Sequence, residues 1–207
     1  MITNVTPPNV HAITLASTPA RTERLSRHLY DRGIQWAPFE GIDAAEWGLC
    51  TKWRYNPSNL HVGQEVPQKH VGLHLSHYWL WRKFADSSEP IMTVLEDDAA
   101  FHDEWENEYR IAMESVPDDW DMLLLGSGHT SDKHRVKVAG NVWKVDGPAC
   151  THAYMIKRSA LPVLLLTQKL SWAPIDASLV YRSYPHLKLY VVLPRIAYQH
   201  GQEYIVP

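Results

Sequence analysis

The chain reads as an α/β domain with a mixed, mostly parallel central sheet flanked by helices, and three observations lead there. Strand-like and helix-like segments alternate along its 207 residues, the order expected of βαβ units. The run Ile91-Met92-Thr93-Val94-Leu95 is nearly unbroken in apolar character, as a central strand covered on both faces requires. It ends in Glu96-Asp97-Asp98, and ligands of open α/β sheets bind outside the carboxyl ends of the strands. With 45% hydrophobic residues the chain can bury one sizeable core, so residues 10–207 are expected to form one domain after a tail over 1–9.

The elements follow in order. Residues 10–15 make a first strand, and Thr18-Pro19 supplies a cap and a first-turn proline. The helix then runs to Gly33 with Leu25 and Leu29 inward. A second strand over 35–39 leads into Glu40-Gly41-Ile42-Asp43-Ala44. From 45 to 71 periodicity is lost while Trp47, Trp53, Tyr55 and several prolines and glycines accumulate; a loop of that length is functional or mobile rather than filler. Leu73, His77, Leu80, Trp81 and Phe84 share one helical stripe, which turns His77 inward. Beyond the acids come a helix over 103–116, a buried strand over 122–126 and a second loop over 127–140. Short strands over 142–145 and 152–156, a helix over 159–169 and a short helix from Pro174 precede a strand over 187–193, expected to close the sheet.

Composition excludes several classes. A formal net charge of −3 offers no basic patch for a nucleic-acid backbone, so a nucleic-acid partner is disfavoured. Cys50 and Cys150 lack metal-binding spacing and read as free thiols of a reducing compartment. The first eight residues do not form a secretory signal, and no run approaches the roughly 20 apolar residues of a membrane span. A soluble, cytoplasmic protein is expected, with peripheral membrane attachment left open. P-loop, GxSxG and HExxH motifs are absent.

Three adjacent carboxylates repel one another and are costly to desolvate, so a strand tip rarely keeps them without a cation. Hard oxygen ligands suit Mg²⁺ or Mn²⁺, which leave coordination positions to substrate phosphates. A solvated acidic turn is the competing reading. Nine tryptophans and ten tyrosines suit the apolar faces of sugar rings as well as ordinary cores. Trp47, Trp53 and Tyr55, in the aperiodic stretch, are the candidates for sugar contacts.

Several segments, in order, resemble glycosyltransferase family 25, the group of bacterial lipopolysaccharide and collagen galactosyltransferases. They are Ile13-Thr14-Leu15 with Arg21 and Arg24, Glu40-Gly41-Ile42-Asp43-Ala44, Gly72-Leu73-His74-Leu75-Ser76-His77 with Trp81, and Val94-Leu95-Glu96-Asp97-Asp98. Trp120-Asp121-Met122-Leu123-Leu124-Leu125-Gly126, Thr151-His152-Ala153-Tyr154-Met155-Ile156 and Pro174-Ile175-Asp176 complete the set. One departure is Leu73, where the family's pattern has cysteine.

The resemblance implies a GT-A-like domain that binds a UDP-sugar and Mn²⁺ or Mg²⁺, and transfers galactose or glucose with inversion to a hydroxyl of a saccharide or glycoconjugate. Asp98 would hold the metal with help from Glu96 or Asp97, and Asp97 would also face the ribose or a bound water. Thr14, Leu15, Asp43, Ser76 and His77 fall to the donor site. Arg21 and Arg24 either pair with the diphosphate or solvate a helix face, and His152 is a candidate for sugar or acceptor contact. Asp176 is the first candidate for general base, with a first-turn helix acid as the competing reading and Asp146 and Asp43 as weaker choices. GT-A enzymes often complete the metal shell with a histidine near the chain's end, which points to His200. A non-catalytic saccharide- or nucleotide-binding module and a metal-dependent phosphohydrolase or nucleotidyltransferase are the alternatives.

Overall fold

The computed structural model describes residues 6–49, 51–52, 63–128, 135–169 and 173–201; Cys50, Trp53 and Tyr55 lie outside them. The first strand, β1 (Val10–Thr14), is followed by helix α1 (Pro19–Tyr30) and strand β2 (Trp36–Glu40). The two strands pair in parallel, giving the expected βαβ unit. Pro19 fits the first turn because its missing N–H has no intrahelical partner to lose. Gly33, between α1 and β2, lies in the left-handed region, φ 65°, where glycine escapes the Cβ clash.

Next come β3 (Thr51–Lys52), β4 (Glu65–Val66), α2 (Gln68–Ala85), β5 (Ile91–Glu96), β6 (Ala99–Phe101), α3 (Trp105–Ser115) and β7 (Met122–Leu124). The remainder is β8 (Val136–Ala139), β9 (Val142–Lys144), β10 (Ala153–Lys157), α4 (Leu161–Thr167), α5 (Ile175–Arg182), β11 (Leu189–Val192) and β12 (Ala197–Gln199). Eight strands form one sheet in the order β2-β1-β5-β10-β7-β11-β9-β8. β1 is parallel to β5 and β11 to β7, while β10 runs antiparallel between β5 and β7. The sheet is therefore mixed.

Both faces are covered, which explains the unbroken apolar runs. Met92 and Val94 of β5, Tyr154 and Ile156 of β10, and Met122 and Leu124 of β7 pack with Leu80, Trp81, Leu164 and Leu179 of α2, α4 and α5. Leu95, Met155 and Leu123, one step along each strand, pack with Leu25 and Leu29 of α1 and Trp105 and Tyr109 of α3. The period of two along each strand thus supplies two cores.

Three expectations change. β11 does not close the sheet, because the β8–β9 hairpin continues it. Every residue of β8 is exposed, so this edge strand has no apolar face to read in the sequence. Helix α2 begins at Gln68, inside the expected loop. β6 and β12 pair antiparallel in a separate ribbon, each being three residues long and too short to show a period. Among the described residues no helix is long and apolar enough to cross a membrane.

Candidate active site

The acids emerge where β5 leaves the sheet and β6 enters the ribbon, so their backbone is held from two sides. Thr14 closes β1 alongside, with its carbonyl accepting the Gly41 N–H at 2.7 Å. Between these strand ends lies a cavity of about 520 Å³ lined by Leu15, Arg21, Asp43 and Ser76 together with Glu96, Asp97 and Asp98. Seven residues drawn from four separate sequence motifs thus share one wall. A larger groove of about 680 Å³ between α1 and β2 shares Leu15 and includes Thr14, but it contains none of the three acids.

Glu96 is held from the core side. Its Oε1 accepts the Thr151 hydroxyl at 2.6 Å and faces His77 Nε2 at 3.2 Å. Burial alone would raise its carboxyl, but the hydrogen bonds from His77 and Thr151 outweigh it and hold the group below the ordinary glutamate value. Behind His77 the chain continues inward. Trp81 Nε1–H donates to the Tyr154 oxygen at 2.9 Å, and the Tyr154 hydroxyl lies 2.8 Å from His77 Nδ1. With its proton on Nε2, His77 accepts from Tyr154 and donates to Glu96, so every polar atom in the chain is satisfied.

Asp97 and Asp98 differ. Arg21 Nη2 reaches Asp97 Oδ1 at 2.7 Å and Asp98 Oδ2 at 3.0 Å. Thr18, in the cap position of α1, makes no capping bond to its helix; its hydroxyl turns to Asp97 Oδ2 at 3.3 Å. Burial nevertheless pushes both aspartates above the ordinary value, Arg21 offsetting it only in part and the neighbouring carboxylates adding to it. Asp98 Oδ2 also receives Gln199 Nε2 at 3.4 Å, whereas Oδ1 is buried without a hydrogen-bond partner.

An orphaned carboxylate oxygen beside two further acids is a donor set that fits a hard divalent cation. Among the described residues no three His, Cys, Asp or Glu side chains are already arranged as a metal cage. The fit is therefore to an ion held by one or two carboxylates and completed by ligand oxygens.

The loop after β2 is shaped by α2. The Ser76 hydroxyl donates to the Gly72 carbonyl and receives the Ile42 N–H at 2.8 Å. A Cβ on Gly72 would stand 2.3 Å from the Ile42 oxygen, so the helix approaches this loop as only glycine allows. Asp43, thus placed, accepts the Ser17 hydroxyl at 3.0 Å and the Ala45 N–H at 3.1 Å. Ser76 acts as a brace for this wall, a role its motif did not reveal. Trp47, 65% exposed, borders an adjoining hollow of about 310 Å³ that also includes Asp43.

Other candidates stand further off. Asp176 opens α5 and accepts the Ala177 N–H at 2.8 Å. It does not line the cavity, although its charge acts on His70, which does. Arg24, one turn beyond Arg21, is half-buried and outside the lining. His200 is exposed and meets the cluster through its backbone, whose N–H donates to the Asp98 carbonyl at 2.7 Å. Asp146 is exposed, on the segment after β9. His152 is buried behind Glu96; burial holds its imidazole below the usual value, and its Nδ1 has no hydrogen-bond partner.

Sequence reasoning passed over Thr18, Thr151, Gln199, Lys69 and His70. Thr151 lies inside a quoted motif, but its bond to Glu96 depends on the antiparallel pairing of β10 with β5.

Comparison with known proteins bears on the family and the fold. Procollagen galactosyltransferase 1-A of Xenopus laevis is 24% identical over 193 residues, covering 85% of this chain and 31% of the relative. Procollagen galactosyltransferase 2 of Mus musculus is 22% identical over 142 residues, covering 64% of this chain and 23% of the relative. The chain therefore spans between about a quarter and a third of the length of these relatives. A crystal structure of a glycosyltransferase involved in the glycosylation of the major capsid of PBCV-1 covers 95% of both chains with a TM-score of 0.50 at 12% identity, a likeness of fold. Residues 8–179 match the model of glycosyltransferase family 25 (LPS biosynthesis protein), and the chain belongs to that family.

Proposed function

We propose that this chain transfers a hexosyl unit, galactose or glucose, from a UDP-sugar to a hydroxyl of a saccharide or glycoconjugate acceptor, with inversion at the anomeric carbon. The observation that carries the reading is the Asp98 carboxylate, which lines the cavity bounded by the ends of β1, β2 and β5 and keeps one buried oxygen without a hydrogen-bond partner. The names of the relatives favour galactose.

Asp98 and Asp97 would hold Mn²⁺ or Mg²⁺. The bound ion supplies charge neutralisation for the departing diphosphate. Arg21 presents a fork of N–H donors suited to phosphate oxygens. Asp43 and Leu15 bound the nucleotide side of the cavity, and Trp47 offers an apolar ring beside it. The acceptor oxygen attacks the anomeric carbon as the bond to the diphosphate breaks, and the acceptor proton passes to a carboxylate on the opposite side. Asp176 is assigned that proton from the family resemblance, as a first-turn acid of α5 that stands apart from the acid cluster.

Isothermal titration of UDP with and without Mn²⁺ tests the core of this reading. Mn²⁺ should tighten UDP binding, and Asp98→Ala should remove most of the gain. Equal UDP affinity in both proteins with Mn²⁺ present would dismiss Asp98 as a metal ligand. Product formation from UDP-galactose or UDP-glucose on candidate glycan acceptors then identifies the sugar.

A further inference from the structure

We propose that Arg21 is a built-in counter-ion that occupies the acid cluster until the diphosphate of the donor draws it away, so that the divalent cation loads together with the nucleotide rather than ahead of it. The inference rests on the assignment of a cation to Asp98 made above.

The geometry is that of one nitrogen shared by two carboxylates. Arg21 Nη2 stands 2.7 Å from Asp97 and 3.0 Å from Asp98, so both of its hydrogens are committed to acids. The side chain that supplies it is 41% exposed, whereas those of Asp97 and Asp98 are 11% and 22% exposed. A movable arm therefore lies over fixed carboxylates. Its root is firm, because the Arg21 backbone N–H donates to the Thr18 carbonyl at 3.0 Å in the first turn of α1. Only the side chain needs to move.

A divalent cation on either oxygen of the Asp98 carboxylate would stand beside the guanidinium held on Oδ2. Two positive groups at hydrogen-bond range repel, and a guanidinium has donors but no lone pair to offer a metal. Empty of nucleotide, the cavity gives the arm no anion better than these acids. A diphosphate supplies one, since planar guanidinium matches phosphate oxygens in a two-pronged contact. Once the arm has moved, Asp97 and Asp98 keep only the neutral donors Thr18 and Gln199, an unfavourable state for two adjacent buried charges unless a cation replaces the one that left. Nucleotide and metal then strengthen each other's binding, and by linkage the coupling is equal in both directions.

Mn²⁺ binding, followed by the paramagnetic resonance signal of the free ion, reads this without any turnover. In the wild-type chain Mn²⁺ should bind weakly alone and roughly tenfold or more tightly with UDP present. Arg21→Ala should tighten Mn²⁺ binding without nucleotide by roughly tenfold and shrink the gain from UDP. Arg21→Gln serves the same purpose should the alanine variant fail to fold, thermal unfolding being the check. If Mn²⁺ binds with UDP in a manner abolished by Asp98→Asn, yet Arg21 variants bind Mn²⁺ alone no better than wild type, the counter-ion role is overturned and the metal assignment survives. If Mn²⁺ binds none of the proteins with or without UDP, both are overturned.

Discussion

His77 Nε2 stands 3.2 Å from Glu96 Oε1 at the outer end of a hydrogen-bonded chain that begins at the indole of Trp81. The carboxylate nearest the core is therefore held by core residues, whereas its two neighbours are held by a surface arginine. Tyr154 is the middle link, and its hydroxyl serves both Trp81 and His77. Tyr154→Phe would leave a buried indole N–H without an acceptor and His77 Nδ1 without a donor. The expected loss is about 1–3 kcal/mol of stability, read from denaturant unfolding. A Tyr154→Phe protein as stable as wild type would mean that the chain is not maintained in solution.

Gly72 carries a steric prediction. A methyl group there would meet the Ile42 carbonyl oxygen at 2.3 Å and the Ala44 nitrogen at 3.0 Å. Both are backbone atoms, so neither can be moved by a rotamer change. Gly72→Ala should cost roughly 1–3 kcal/mol and displace the loop that carries Asp43, weakening UDP binding as well. Unfolding curves and UDP titration on the same protein check both effects; an unchanged UDP affinity would separate the loop from the nucleotide.

His28 governs part of the acid response. Its Nε2 accepts the Phe101 N–H at 2.7 Å, which requires the lone pair that protonation would consume. Burial lowers its pKa to about 4, with the Arg32 charge assisting. The unfolded chain takes up this proton near the ordinary value of 6.5, so it binds more protons than the folded chain between pH 6.5 and 4. Stability should therefore fall as pH drops through that window. Since His28 is only half-buried, its share after solvent screening is on the order of 1 kcal/mol. His28→Gln should flatten the decline in Tm between pH 6.5 and 4, and a slope identical to wild type would assign the acid response elsewhere.

Asp176 has a kinetic test. Asp176→Asn keeps the shape and the oxygen that accepts the Ala177 N–H, but the amide cannot take a proton. Transfer should fall by roughly 10²-fold or more while UDP affinity stays within a few-fold of wild type. A nearly normal rate with a genuine acceptor would return Asp176 to the role of a first-turn helix acid.

What could be read in the sequence follows from where each element is buried. The strands 91–96, 122–124 and 153–157 announce themselves because two cores cover them. The acids stand out by contrast with the apolar run before them. Strand β8 does not, because it is exposed throughout and its surroundings, rich in Lys, Gly and Arg, resemble a loop. The partners of the acids were hidden for another reason. Thr151 meets Glu96 across 55 residues and Gln199 meets Asp98 across 101, and no local period records such pairings. The sequence points to His200 as a metal ligand near the acids, whereas its contact with Asp98 is made by a backbone N–H that any residue but proline could supply.

The ribbon of β6 with β12 gives the site a particular history during synthesis. Glu96, Asp97 and Asp98 leave the ribosome long before residues 197–200, which pair with β6 and tie down the Asp98 carbonyl. Closures over such separations come late in folding, since the intervening chain must first be ordered. A nascent chain that has already built β1, α1 and β5 therefore still lacks the floor beneath its carboxylates. Competence to hold a ligand there is reached only when the segment carrying β12 has emerged and docked, after β11, the last strand of the main sheet to be made.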